Sequence, residues 1–216
     1  MTGPTHRQYS VCFGAIALML IYRLGITEIN YYLAMPIILT TSRFGAQFPD
    51  FDHEWQNVGD KTVVKRLINI LIHLTGGKHR SWQTHSADIC TLFTLSAYFV
   101  PNMLCNLNKI STVNKEVIIL LLLGFSSGWI SHLFSDMLNG TGIRLFCFIK
   151  QTIALVPKKI GKLRFNTGNE WEAFNFKVIK KVNIVIGTLC LIYPLFIEGK
   201  IQYLLNILFH MWNGGK

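Results

Sequence analysis

The stretch VIILLLLGFSSGWISHLFSDM, residues 117–137, decides the fold class of this chain. It is long and apolar enough to cross a membrane as a helix, since a span needs about 20 such residues. Small side chains recur along it at Gly124, Ser127, Gly128, Ser131 and Ser135. A stripe of small residues lets the backbone of another helix approach closely, so this stretch is predicted to pack inside a helical bundle.

The same stretch ends in two side chains of the types that bind metals. His132 and Asp136 are four residues apart, so on a helix they differ in direction by about 40° and project from one face. Taken alone, the pair fits a polar pair satisfied within a bundle as well as it fits two metal ligands. Ionisable groups inside a span are costly and tend to face a cavity or a partner, which favours the ligand interpretation.

The composition of the whole chain indicates one integral membrane domain. Half of the 216 residues are hydrophobic, 15% are charged, and the mean hydropathy is +0.35. These values are too apolar for an ordinary soluble domain. We therefore predict an all-α, multi-span helical membrane protein over residues 1–216, with about four to six apolar helices and a metal site at one membrane face.

The apolar stretches give the expected order of the helices. Spans are predicted at about residues 8–24, 30–46, 86–105, 117–137 and 182–196, with 203–212 as a short sixth element or a helix lying in the interface. Residues 61–75 repeat apolar side chains at helical spacing beside Lys65 and Arg66, which predicts an amphipathic interfacial helix.

The positive charge of the chain is concentrated in one region. The formal net charge is +10, and residues 144–181 hold nine basic against two acidic residues. We predict a basic, Gly-punctuated loop region at 139–181. Such a region attracts anionic lipid headgroups and marks the cytoplasmic side. A nucleic-acid surface is the competing interpretation, but the region lacks the interleaved aromatics and recognition motif of such modules, so membrane lipid is the expected partner and no nucleic acid is expected.

Five of the seven histidines lie in polar clusters at or near the ends of apolar stretches. The clusters contain His6; Asp50, Asp52 and His53; His79 and Arg80; His85; and His132 with Asp136. If the spans pair as hairpins, an even number of spans returns each cluster to the same membrane face. An extended segment after Pro49 would point both aspartates the same way toward a metal, whereas a solvated turn is the alternative.

The order of these motifs resembles the YdjM-like family of membrane-bound, metal-dependent hydrolases of the inner membrane. The resemblance covers roughly residues 4–174 and includes Pro49-Asp50-Phe51-Asp52-His53, Thr84-His85-Ser86, residues 131–138 and the later Gly168-Asn169-Glu170-Trp171-Glu172. It implies a divalent-metal hydrolase site whose natural substrate is unassigned. The ligands that it implies are His6, Asp50, Asp52, His79, His85, His132 and Asp136, with His53 and Glu172 less central.

Site chemistry and resemblance together predict a hydrolase that acts on a phosphoester or lipid-like substrate at the cytoplasmic face of the inner membrane. One or two divalent ions, with zinc favoured by the His/Asp mixture, would activate a water. Asp52 or Glu172 is the expected general base, and Arg80 is expected to stabilise developing negative charge. The alternative is a non-catalytic membrane protein in which the same residues hold a structural ion or conduct metal. A structural site is closed, whereas a catalytic one keeps an open position.

Overall fold

The computed structural model describes residues 3–52, 62–77, 80–138, 142–155 and 170–197. Helices account for nearly all of the regular structure in these ranges. They are α1 (Gly3–Arg23), α2 (Tyr31–Gly45), a 3₁₀-helix (Pro49–Asp52), α3 (Val63–Leu74), α4 (Trp82–His85), α5 (Ala87–Asn106), α6 (Thr112–Met137) and α7 (Glu170–Ile197). Strands β1 (Ile143–Arg144) and β2 (Thr152–Ile153) form a small antiparallel pair. The predicted all-α class is therefore confirmed.

Helix α6 is the centre of the bundle because its small residues admit its neighbours. It packs against α1, α2 and α5, and α7 packs on α1. A Cβ built on Gly124 would overlap Thr41 of α2, and one built on Gly128 would overlap the backbone of α2 at Ser42. The small-residue stripe thus serves as the helix-contact face that the sequence predicted.

The two ends of α6 carry different chemistry. Glu116, near its start, is buried and accepts hydrogen bonds from the Thr27 hydroxyl (3.0 Å) and the Glu28 amide (3.1 Å) of the α1–α2 connection. His132 and Asp136 lie at the opposite end and are also buried. The α1–α2 hairpin therefore returns the chain to the end of the bundle where its first residues lie.

Three described helices, α5, α6 and α7, are long and apolar enough to cross a membrane. Helix α2 has 15 residues, which corresponds to roughly 22 Å and is shorter than a hydrocarbon core of about 30 Å. Helix α1 begins with a polar turn that contains Thr5, His6 and Arg7. Apolar helices therefore occur where the sequence predicted spans, while the predicted number of four to six spans stays a prediction.

Helix α3 is amphipathic with its apolar side outward. Val64, Leu67 and Leu71 are exposed, whereas Lys65 and Asn69 are buried. Both buried side chains bond to the segment before α3, since Lys65 Nζ donates to Gln47 Oε1 (3.2 Å) and Asn69 donates to the Phe51 carbonyl. An outward apolar face is the arrangement expected of a helix that lies against lipid, as the sequence predicted.

Two expectations differ from the structure. Helix α7 begins at Glu170 rather than near residue 182, so part of the predicted 139–181 loop region is helical, and the same region also contains β1 and β2. Glu170 and Glu172 in the first turn of α7 favour a helix start there, because acidic side chains stabilise helix N-termini. Residues 49–52 form a 3₁₀-helix instead of an extended segment. The predicted element at 203–212 lies outside the described residues.

Candidate metal centre

Four buried side chains from three helices meet at one end of the bundle. We call them the His/Asp cluster: His6 of α1, His85 of α4, and His132 and Asp136 of α6. The carboxylate of Asp136 lies in the middle. The Nε2 atoms of His6, His85 and His132 lie 3.7, 3.6 and 3.7 Å from its oxygens. The pairing of His132 with Asp136 on one face of α6 is thus as the sequence predicted.

These separations fit atoms that share one bound ion better than they fit atoms joined by direct hydrogen bonds. They exceed the donor–acceptor distance of a hydrogen bond. Two ligand atoms on one tetrahedral ion, each about 2.0–2.1 Å from it, are roughly 3.3 Å apart. One ligand atom from each of His6, His132 and Asp136 fits within a span of 4.8 Å. The rings of His6 and His132 are stacked, with centroids 3.8 Å apart, so their Nε2 atoms face the same space.

The other ring nitrogen of every histidine in the cluster is held by the protein. His132 Nδ1 lies 2.7 Å from the carbonyl of Ala46, and His6 Nδ1 lies 2.5 Å from Ser135 Oγ. His85 Nδ1 lies 3.1 Å from Asp52 Oδ2 and 2.9 Å from Thr84 Oγ1. Partners of this kind orient metal-binding histidines and fix which nitrogen carries the proton.

These partners assign the same tautomer to all three rings. A carbonyl and a carboxylate only accept, so the Nδ1 atoms of His132 and His85 are the donors. Ser135 Oγ donates to the carbonyl of His132 (2.9 Å), so it accepts from His6. Each Nε2 therefore carries a lone pair, and the three lone pairs point toward the Asp136 carboxylate. A group of electron-rich atoms in this arrangement is what a cation requires.

Burial lowers the pKa of His85 below its usual range, although its hydrogen bond to Asp52 acts in the opposite direction. The ring is 2% exposed, so the charged form loses its hydration there. His85 is accordingly neutral at neutral pH. A neutral imidazole is the form that ligates metals.

Asp52 lies behind His85 rather than at the centre of the cluster. Its carboxylate is fully buried, and its Oδ2 accepts from the Thr84 hydroxyl (2.6 Å) and the Arg80 amide (2.8 Å) in addition to contacting His85. The 3₁₀-helix places Asp52 inward and leaves Asp50 35% exposed, with Asp50 Oδ1 3.8 Å from His132 Nε2. The two aspartates thus occupy different positions, which the extended segment expected from the sequence would not have given.

Arg80 closes one side of the cluster. Its backbone adopts φ +60°, an uncommon conformation for a residue with a side chain, and its amide is fixed by Asp52. Its Nη2 lies 3.4 Å from Asp136 Oδ2, and the side chain is 27% exposed. Its Nη1 has no hydrogen-bond partner among the residues that the structure describes. One part of the guanidinium is therefore held by Asp136, while Nη1 is a buried donor without a described partner.

Glu172 supports the cluster from α7. It is buried and accepts from the hydroxyl of Thr5 at 2.9 Å. Thr5 directly precedes His6, so this bond fixes the first turn of α1 against α7. A neighbouring bond from Tyr9 to Asn175 (2.9 Å) joins the same two helices. The described contact of Glu172 is thus with the chain beside a histidine of the cluster.

The sequence did not indicate several residues that shape the site. The Ala46 carbonyl and Ser135 orient histidines, and nothing in the sequence singles them out. The Thr84 hydroxyl donates to Asp52, and the Thr84 carbonyl accepts from Trp129 Nε1 (2.7 Å). Asp88, although close to His85 in sequence, accepts from the amide of Cys147 (2.9 Å). The predicted ligands His53 and His79 lie outside the described residues.

The fold and the site together define a helical membrane protein with a buried His/Asp cluster at one end of its bundle. The chain belongs to the YdjM inner membrane protein family, whose model matches residues 1–211. The resemblance suggested by the sequence motifs is therefore confirmed, as is the inner membrane class. No curated protein and no solved structure matches the chain.

Proposed function

We propose that this protein is a membrane-bound, metal-dependent hydrolase. The observation that supports this most strongly is the convergence of three Nε2 lone pairs, each fixed by a partner on Nδ1, around one carboxylate. Without a cation this arrangement would place electron-rich atoms against each other in a buried site. With a divalent cation, the same arrangement is favourable.

The residues present fit a divalent ion. His6, His85, His132 and Asp136 would hold it, and zinc suits three imidazoles and a carboxylate. Asp50, at the exposed edge beside His132, is positioned to take part if a second ion binds. When bound, the ion supplies Lewis acidity and lowers the pKa of water, which is the chemistry that hydrolysis requires.

We assign roles to the remaining residues from their positions around the cluster. Asp52 is a positioning residue, because its carboxylate holds His85 and the backbone of Arg80. We assign Arg80 the role of binding an anionic oxygen of the substrate through Nη1, while its Nη2 stays paired with Asp136. Asp50 is the assigned proton acceptor, since it is the acidic side chain of this group with substantial exposure. Glu172, an earlier candidate for the base, is assigned instead to holding Thr5.

The partial exposure of Asp50 and Arg80 favours a catalytic site over a structural ion. His6, His85, His132 and Asp136 are closed off from solvent, whereas these two side chains reach the surface on one side. A site that is closed on most sides and open on one gives a substrate access to the centre. An arginine at that opening favours a substrate with negative charge, such as a phosphoester.

Metal analysis of the purified protein tests the proposal. The wild type is expected to retain about one divalent ion per chain or more, and His132→Ala and Asp136→Ala are expected to lose most of it. His73→Ala is the matched control, because His73 is an exposed histidine of α3 that is not among the proposed ligands. Equal metal content in wild type and both cluster variants would contradict a shared site.

A hydrolysis screen with chromogenic phosphoesters separates catalysis from a structural role. Turnover that disappears on chelation and returns with added metal is expected. The Arg80→Gln variant is expected to retain metal but lose activity toward anionic substrates. Stoichiometric metal without metal-dependent turnover would favour the structural alternative.

A further inference from the structure

An apolar groove runs along the outside of α6, and its described wall residues include no member of the His/Asp cluster. It lies between α2 and α5, which pack against α6 on its two sides. Its volume is about 630 Å³, and its walls include Phe44, Phe48, Phe93, Leu121, Phe125 and Trp129. Helices α5 and α6 are candidate membrane spans, so we expect the groove to face the hydrocarbon region. A hydrocarbon chain is the ligand chemistry that suits these walls.

A basic pocket adjoins this groove. It has a volume of about 620 Å³ and shares Thr40 and Phe44 with the groove. Its walls carry Arg7, Arg43 and Lys65, with no acidic residue among them. Arg7 and Arg43 are exposed and form no ion pair with any residue that the structure describes. An anionic group is therefore the ligand that this pocket favours.

The two surfaces together fit a single amphiphile. The basic pocket and the groove adjoin, because Thr40 and Phe44 belong to the walls of both. Val64, which also lines the basic pocket, belongs to the outward apolar face of α3, so the pocket lies where the hydrocarbon region meets water. A lipid has its phosphate at this depth and its acyl chain below. The absence of acidic side chains from the described lining disfavours a headgroup that also carries an ammonium.

We propose that the protein binds one anionic phospholipid at this position. The phosphate contacts Arg7 and Arg43, with Lys65 completing the pocket, and one acyl chain occupies the groove along α6. The lipid site is separate from the His/Asp cluster and does not depend on the proposed hydrolase activity. It would attach the site end of the bundle to the anionic leaflet of the membrane.

Native mass spectrometry of the intact protein, released from a neutral detergent, tests this site. Phosphatidylglycerol and phosphatidylcholine with identical acyl chains are added in turn. One phosphatidylglycerol is expected to remain bound, and phosphatidylcholine to bind clearly more weakly. Replacing both arginines (Arg7→Gln with Arg43→Gln) is expected to weaken binding by about 25-fold, since each basic residue near an anionic surface contributes about fivefold. Arg23→Gln, at the other end of α1, is the control and is expected to change nothing.

A second pair of variants tests the groove. Leu121→Trp fills it and is expected to weaken binding, whereas Leu189→Trp, on the exposed face of α7, is not. Equal binding of the two lipids would overturn the proposal, as would equal effects of groove and control variants. Displacement of the lipid by soluble glycerol phosphate at equal concentration would show an anion site without a chain site, which also overturns it. His132→Ala is expected to keep the lipid even where it loses metal, so the two proposals fail separately.

Discussion

His132 is anchored to the end of α2, because its Nδ1 donates to the carbonyl of Ala46 at 2.7 Å. Ala46 is the C-cap of α2, and the preceding Ser42 packs against Gly128 of α6, one turn before His132. The close approach of α2 to α6 therefore also sets the direction of a histidine in the cluster. Helix packing and the orientation of His132 therefore both depend on Gly128.

Gly128→Ala is expected to disturb both packing and site. Its Cβ would overlap the backbone of Ser42 and Ala46, where no flexible side chain can move aside. Overpacking of this kind costs about 1–3 kcal/mol or more, so the melting temperature in detergent should fall by several degrees. Gly187→Ala on α7 is the control, since its Cβ would meet nothing within 4 Å. It is expected to be neutral or slightly stabilising, and an equal loss in both variants would contradict the packing argument.

Asp52→Asn is expected to weaken metal binding without removing a ligand of the proposed ion. The substitution changes the group that holds His85 Nδ1, and changes of that kind lower metal affinity by about 10–100-fold. Metal titration by calorimetry measures this. Asp88→Asn is the matched control, because that carboxylate is bonded to the Cys147 amide instead. Unchanged affinity in Asp52→Asn would remove Asp52 from the site.

Ser135→Ala is expected to affect metal binding through His6. The hydroxyl accepts from His6 and donates to the His132 carbonyl, so its loss frees the His6 ring to rotate. Affinity should fall by about tenfold. Ser126→Ala, on the same helix, removes a hydroxyl that bonds only to the Leu122 carbonyl among the described residues, and should leave metal affinity unchanged. The same titration distinguishes the two.

Thr5→Val is expected to destabilise the contact between α1 and α7. It removes a hydrogen bond to the buried carboxylate of Glu172, and bonds to charged groups contribute about 1.5–3 kcal/mol. A lower melting temperature is the expected result. Thr91→Val, which removes an exposed hydroxyl bonded within α5, should change it little. If the two variants have the same melting temperature, the Thr5–Glu172 hydrogen bond contributes nothing to stability.

The site end of the bundle is expected to face the cytoplasm. Arg7, Arg43, Arg80 and Arg144 lie at that end, and the positive-inside tendency directs such residues to the cytoplasmic side. Single cysteines at positions 43 and 23, in a chain whose native cysteines are replaced, would report this through an impermeant maleimide. Position 23 should react from outside in intact cells and position 43 only after permeabilisation. The reverse pattern would place the His/Asp cluster on the other face.

The helices and the central pair of the site could be predicted from the sequence. Apolar runs give the positions of α5 and α6, and four-residue spacing places His132 beside Asp136 on α6. The small residues of α6 also predicted that the neighbouring helices approach its backbone closely. Predictions from these patterns agree with the structure because the patterns follow directly from helix geometry.

The orientation of the histidines could not be predicted, because it depends on groups that have no sequence signal. Any residue has a carbonyl, so nothing marks Ala46 as the partner of His132. Asp50 and Asp52 look equivalent in sequence, and only the 3₁₀ turn separates a buried carboxylate from an exposed one. The start of α7 was missed because a cluster of lysines resembles a loop, although Lys177, Lys180 and Lys181 lie on the helix.

The cluster joins the first helix to the last turn of α6, since Ser135 of α6 bonds to His6 of α1. During synthesis, the chain that carries His6 is made and inserted long before the chain that carries His132 and Asp136. A metal centre of this composition therefore cannot form before α6 has been made. Acquisition of the ion would mark the point at which α1, α4 and α6 have come together.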